Sequence, residues 1–463
     1  MTKRFGFLLI TALTLTLAAC EKSDPPLADN LAQFESAEQG MDATDNAATF
    51  TIKLSRPVSN ALSLSLELAE NGVAYGTHYT TSPAAVNGVL PLTIPAGSSE
   101  ISFTVTKKED IFLSGTESVG FTVKPAGEGV LAGPTGTLTL RFSSIISEGS
   151  SMTLNGGEGG TSAVNSVYVD FSNNQQTSVL RSSWDLGFYG GADYRVIINN
   201  VASYSVVAVN KTDINTVTEA DFDPDTLHVG FGYGSLAVID NLEGDLSKTV
   251  IGAVSATESE NKVYVVNSTG ASANAPVAAK LKKIRILRNG DGYTLQYADI
   301  NATSFQTLNI TKDAAYNFKF VSFANGLVSV EPAKDRWDIQ WTYAMYKTGA
   351  PGAEIPYAFS DLVFTNIHGG AQVAEVLTST GMTYASFGES NIASVSFSTK
   401  ADVVGSKWRS TLAPVGVATD RFYVVKDAAG NVYKLKFINF HSTTVDGGTR
   451  GYPNLEYVLV KKA

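Results

Sequence analysis

The sequence predicts an all-β protein: an N-terminal β-sandwich followed by two related antiparallel β domains. Three observations carry this reading. Alternating apolar and polar runs recur from Ala32 onward between Gly, Pro and Asn turns, as in Thr49-Phe50-Thr51-Ile52-Lys53-Leu54 and Leu62 to Leu68. Helical periodicity is confined to Ala371 to Leu377 and Val217 to Phe222, both short. A set of landmarks also repeats in one order at an offset of roughly 155 residues, the signature of an internal duplication.

Composition bounds the function. The chain has 463 residues, with 44% hydrophobic and 17% charged, so it folds and has room for about three domains. Lys+Arg 34 against Asp+Glu 44 leaves −10, and nucleic acid is excluded as a partner. Four His and one Cys rule out an internal disulfide and a cysteine metal cluster.

Residues 1–19 read as a signal peptide: Met-Thr-Lys-Arg, then an apolar run from Phe5 to Ala19 that is too short to span a membrane. Its end, Leu17-Ala18-Ala19-Cys20, is similar to a bacterial lipobox, in which the thiol of Cys20 is acylated and the chain is cut before it. Residues 20–29, with Glu21-Lys22-Ser23-Asp24-Pro25-Pro26, form a lipidated polar tether. The expected partner is the cell outer membrane, reached through the acylated N-terminus, with the folded part facing the surface or the periplasm.

The block 30–145 carries strands spaced as in a β-sandwich, with turns at Arg56-Pro57, Pro95-Ala96-Gly97 and Ala132-Gly133-Pro134. Through Tyr75-Gly76-Thr77-His78-Tyr79, Ile94-Pro95-Ala96-Gly97 and Gly115-Thr116-Glu117 it resembles the Calx-beta fold. The resemblance implies acidic loop residues able to hold calcium, here Glu38, Asp110 and Glu117. His78 stands where that family usually has Asp, and an imidazole does not suit a hard cation. A structural spacer domain is the expected role, and calcium is not expected as a cofactor. Residues 146–163, with Asn155-Gly156-Gly157-Glu158-Gly159-Gly160, read as a Gly/Ser-rich linker and lack the Lys-Ser/Thr ending of a phosphate loop.

The duplication divides the remainder into 164–300 and 301–463. Tyr168-Val169-Asp170-Phe171 precedes Trp184-Asp185-Leu186, as Phe320-Val321-Ser322-Phe323 precedes Trp337-Asp338-Ile339. Strands ending in Asn199 and Asn366 follow, then Val263-Tyr264-Val265-Val266 and Phe422-Tyr423-Val424-Val425, then Lys280 to Leu287 and Lys434 to Phe440. Each half closes on a related strand, Leu295-Gln296-Tyr297 and Leu455-Glu456-Tyr457. Each Trp is expected to anchor a sheet core and each following Asp to hold a neighbouring turn. The basic cluster Lys280-Leu281-Lys282-Lys283-Ile284-Arg285 reads as a sheet edge protected by charge.

These landmarks resemble the HmuY family of all-β surface lipoproteins that bind haem. The most specific part is Asp420-Arg421-Phe422-Tyr423-Val424-Val425, with Asp427-Ala428-Ala429-Gly430-Asn431 as a hairpin turn. The resemblance implies haem as cofactor, haem or haemoproteins and an outer-membrane receptor as partners, iron acquisition as role, and no enzymatic activity. It also implies axial His or Met ligands before the Phe-Tyr-Val-Val strand. Met382 lies about where the first belongs. The second should follow Trp408, where Arg409-Ser410-Thr411-Leu412-Ala413-Pro414 offers no soft ligand; His368, on a Gly-flanked loop, is the nearest imidazole, with His441 and His228 further candidates.

Other chemistry is thin. Asp221-Phe222-Asp223-Pro224-Asp225 imitates the start of a calcium loop but has Thr226 and Gly232 where glycine and a distal Glu belong. Neither Gly-x-Ser-x-Gly nor His-Glu-x-x-His occurs. The rival function is adhesion or carbohydrate binding, through Trp341, Tyr343 and Tyr346 as exposed stacking rings. A hydrolase with unlocated paired carboxylates is the third.

Overall fold

A computed structural model describes residues 29–41, 45–108, 116–125, 130–143 and 146–463, and it is an all-β structure in which most strand pairs are antiparallel, with short 3-10 turns between them. Cys20 and the signal peptide lie outside the described residues, as does Asp110. Among the described residues no helix is long and apolar enough to cross a membrane.

The N-terminal block is a sandwich of two five-stranded sheets. One runs Tyr79–Ser82, Glu100–Lys107, Ala47–Leu54, Asn30–Phe34, Val130–Ala132; the other runs Glu38–Gly40, Thr137–Arg141, Ser118–Pro125, Leu62–Asn71, Val89–Ile94. Alternation sends every second residue inward, so Phe50, Ile52 and Leu54 are buried while Thr49, Thr51 and Lys53 face outward. Phe34, Phe50, Phe103 and Phe121 fill the space between the sheets, with Phe103 and Phe121 centroids 5.0 Å apart.

Beyond residue 146 the duplication is visible in the sheets. One five-stranded sheet runs Gly149–Thr153, Asn454–Lys461, Val432–Asn439, Arg421–Lys426, Gln372–Leu377. Its counterpart runs Gln306–Ile310, Gly292–Asp299, Lys282–Asn289, Val263–Asn267, Ser205–Val209, strand for strand the same order. Two four-stranded sheets complete the unit: Gln175–Leu180, Asn165–Asp170, Ile339–Thr348, Ile355–Thr365, and Gly326–Val328, Phe318–Ser322, Leu186–Tyr189, Val196–Ile198.

In these smaller sheets the halves exchange their opening strands. Asn165–Asp170 pairs with Ile339–Thr348 from the second half, Val167 opposite Trp341. Phe318–Ser322 pairs with Leu186–Tyr189 from the first half, Leu186 opposite Val321. Residue 301 therefore marks the repeat in sequence but does not separate two sets of sheets. One buried cluster joins Tyr168, Trp184 and Val201 to Phe318, Phe320, Ala344 and Leu362.

Three local expectations change. The stretch 146–163, read as a linker, supplies the edge strand Gly149–Thr153, and Met152 and Leu154 enter the core with Trp341. A Cβ on Gly156 would lie 2.4 Å from the Trp341 ring and 2.3 Å from the Gly451 carbonyl, so the glycine is needed for close packing. The Lys/Arg cluster forms the middle strand of its sheet and not an edge: Lys283 is 1% exposed and its Nζ donates to the Val217 and Ala302 carbonyls. Of the two helix-like stretches, Gln372–Leu377 is a strand, and the other contains only the short 3-10 turn Glu219–Asp221.

Candidate functional site

The exchange creates a cavity where the two halves meet. Asn199 and Asn366 shape it by the same geometry. Asn199 Nδ2 donates to the Trp184 and Arg181 carbonyls, and Asn366 Nδ2 donates to the Trp337 and Lys334 carbonyls. Their Oδ1 atoms accept from Ala202 and Gly369 N–H. Each Trp is thus fixed beside the opening strand of the other half: Trp184 meets Phe320 edge-to-face at 4.8 Å, and Trp337 meets Tyr168 at 5.0 Å. The expectation that the Trp residues anchor a core holds, and the strands they grip belong to the opposite repeat.

The cavity has a volume of about 180 Å³. His368 lines it, its ring edge-to-face with Phe318 at 5.7 Å and Tyr189 at 6.1 Å. Burial lowers its pKa to about 4, so the imidazole is neutral at pH 7. Glu331 and Asp240 also line the cavity. Glu331 accepts the Phe318 N–H at 2.8 Å, and burial pushes its carboxyl up to about 8. Asp240 accepts Ile198 N–H at 2.8 Å and Val250 N–H at 2.9 Å, and burial pushes it up to about 6. Sequence reasoning missed both carboxylates, because no local motif accompanies them; only the fold brings them together.

Met382 sits elsewhere. It packs, half-buried, with Tyr384, Phe387, Ile392 and Phe397 on a cluster built from Ala374, Val376, Phe422 and Val424. The Ser394 hydroxyl points at its sulfur at 3.6 Å. Lys434 pins this loop by donating to the Tyr384 and Phe387 carbonyls, just as Lys283 pins the equivalent loop of the first half. Met382 and His368 therefore lie in different packing clusters, and His368 alone borders the cavity.

The remaining predicted residues are engaged in structure. Glu38 pairs with Arg141 on the sandwich surface. His78 Nδ1 accepts the Ala74 N–H at 2.9 Å, a loop-closing bond made by the imidazole that replaces Asp. Glu117 adjoins the strand Ser118–Pro125. Among the described residues no three His, Cys, Asp or Glu side chains are grouped to hold a metal ion. His228 stacks on Tyr233 at 4.4 Å, and His441 neighbours Ser442. Of the rings nominated for sugar stacking, Trp341 is 1% exposed and buried in the core; Tyr343 and Tyr346 are half-buried, Tyr343 under the Arg181 guanidinium at 4.7 Å and Tyr346 with its hydroxyl donating to Asp402.

A family model described as HmuY protein matches residues 162–457, running unbroken through both repeats and covering well over half of the chain. The chain belongs to the HmuY family. HmuY members are surface-associated haem-binding proteins, a family of binding proteins and not of enzymes. No curated protein matches this chain. Among solved structures, the apo-form Calx CBD1 domain is 16% identical, with a TM-score of 0.22 over 25% of this chain and 96% of its own. A putative carbohydrate binding protein from Bacteroides ovatus is 12% identical, with a TM-score of 0.19 over 72% of this chain and 97% of its own. A two domain protein of unknown function from Bacteroides fragilis is 10% identical, with a TM-score of 0.20 over 73% and 88%.

Proposed function

We propose that this HmuY-family protein is a non-enzymatic, lipid-anchored binding protein of the outer membrane, that its ligand is haem, and that it serves iron acquisition by passing haem taken free or from haemoproteins to an outer-membrane receptor. The observation that carries this reading is the unbroken family match over residues 162–457. Cys20 supplies the anchor.

The side chains fit one soft axial ligand and not a pair. Haem iron needs a donor with a lone pair facing an apolar slot. His368 has a neutral imidazole, but its cavity of about 180 Å³ is below the roughly 300–1,000 Å³ of ordinary ligand pockets. A porphyrin does not enter it as it stands. Met382 is on the loop that precedes the Phe-Tyr-Val-Val strand, half-buried among apolar and aromatic side chains. We assign the axial role to Met382, and His368 to the cavity wall. Of the rings that adhesion or carbohydrate binding would use, Trp341 is in the core and Tyr343 and Tyr346 are half-buried.

Titrating haemin into the mature protein tests the function. A saturable, sharpened and shifted Soret band at micromolar haemin is expected. A featureless band growing in proportion to added haemin would refute it.

A further inference from the structure

The central cavity carries chemistry that the haem reading leaves unused. Its walls present the rings of Tyr168, Trp184, Phe318, Phe320, Trp337 and Phe364, and among the described residues neither Lys nor Arg lines it. Three carboxylates line this aromatic box; Asp245 is paired with Lys248, while the donors to the other two are uncharged: Phe318 N–H and Asn317 for Glu331, Ile198 and Val250 N–H for Asp240. Neither Glu331 nor Asp240 makes an ion pair among the described residues. Polar atoms without partners surround the same space. Asn317 and Thr365 are each 3% exposed, yet Asn317 Oδ1 and Thr365 Oγ1 have no hydrogen bond, and Asn200 Oδ1 and Trp337 Nε1 are also unpartnered. A buried polar atom left without a partner is costly, so several around one cavity point to a polar occupant.

We infer that this cavity is a second binding site, for a small organic ammonium ion of the size of choline. Aromatic faces attract a desolvated cation through their quadrupole, and quaternary ammonium ions are recognised by such boxes. The carboxylates supply the opposite charge, and the free amide and hydroxyl oxygens can receive a hydroxyl or N–H of the ligand. Volume agrees: a cavity of about 150 Å³ holds benzene, and this one is about 180 Å³. The inference does not rest on haem binding, since Met382 is outside the cavity.

Calorimetric titration of the mature full chain with choline, and with its uncharged carbon isostere dimethylbutanol, tests it. Choline should bind at least about tenfold more tightly than the isostere, and Glu331→Gln and Asp240→Asn should each erode that preference. Tryptophan emission should change on binding, because Trp184 and Trp337 are in the wall. Choline affinity should also rise between about pH 6 and pH 9 as Glu331 ionises. Of the other titratable groups lining the cavity, Asp240, pushed up to about 6, completes its ionisation in the lower part of that range and adds to the rise; Asp245 is held down at about 2 by Ser247 and Lys248, His368 stays neutral, and burial keeps the Tyr168 phenol protonated. Phosphatidylcholine vesicles distinguish the source: co-sedimentation assigns the ion to a lipid headgroup, and binding of free choline without it assigns a soluble amine. Equal affinity for choline and the isostere, or no choline binding by a folded chain, would overturn the inference.

Discussion

Asp338 Oδ2 accepts the main-chain N–H of Phe171 at 2.8 Å, across 167 residues of sequence. Asp185 Oδ2 accepts the N–H of Phe323 at 2.6 Å in the mirror-image contact. Each Trp-Asp pair therefore clasps the opening strand of the opposite half. Burial, with the Asp170 carboxylate beside it, raises the Asp338 pKa well above the usual carboxylate range. The useful feature of Asp338 is then its acceptor atom more than its charge. Asp338→Ala should lose about 1–3 kcal/mol in urea unfolding by orphaning a buried N–H, and Asp338→Asn should keep most of that stability. Equal stability of Ala and wild type would show that the Asp does not hold the turn.

The exchange of opening strands makes a prediction about fragments. Residues 164–300 alone lack Phe318–Ser322, the partner of Leu186–Tyr189, and lack Ile339–Thr348, the partner of Asn165–Asp170. That fragment should show no cooperative melting by near-UV circular dichroism, while 147–463 should melt as one unit. A sharp transition in the shorter piece would mean that each half completes its own core.

Much of this arrangement was legible from residues in order. The alternating runs gave the strands, and Trp184-Asp185 with Trp337-Asp338 gave the repeat. The exchange was not legible, because Asn165–Asp170 and Phe318–Ser322 carry the same pattern and either could pair with either Trp-Asp strand. Lys283 misled for a different reason. A cation in a strand suggests an exposed edge, but its long side chain reaches the Val217 and Ala302 carbonyls and is satisfied inside. The glycines of 155–160 look like a flexible linker until Trp341 is seen to occupy the space beside Gly156. Glu331 and Asp240 lie in irregular segments where an acid normally signals surface, so nothing local announces a cavity.

Glu331 should leave a pH signature on stability. An unfolded Glu titrates near about 4.3, and in the fold the carboxyl is pushed up to about 8. Between those values the folded state binds more protons than the unfolded one. The group's favourable state is complete below the unfolded value and is lost as pH rises toward the folded one. Relative to Glu331→Gln, the wild type should therefore lose stability on the order of a few kcal/mol between about pH 5 and pH 8. Urea unfolding of both proteins at the two pH values measures this, and a difference that stays constant with pH would contradict it.

The proposed anchor depends on one thiol, that of Cys20. Cys20→Ala should yield an unprocessed or soluble form that leaves the detergent phase on Triton X-114 partitioning, because acylation requires the sulfur. A variant that partitions with the wild type would remove the lipoprotein assignment.

Haem binding through one thioether is the central claim, and the absorption spectrum of the haemin complex tests it most directly. Met382→Ala should abolish the wild-type spin-state bands, and His368→Ala should leave them unchanged. If Met382→Ala retains the wild-type spectrum, or if His368→Ala is the variant that loses it, the assigned site is wrong.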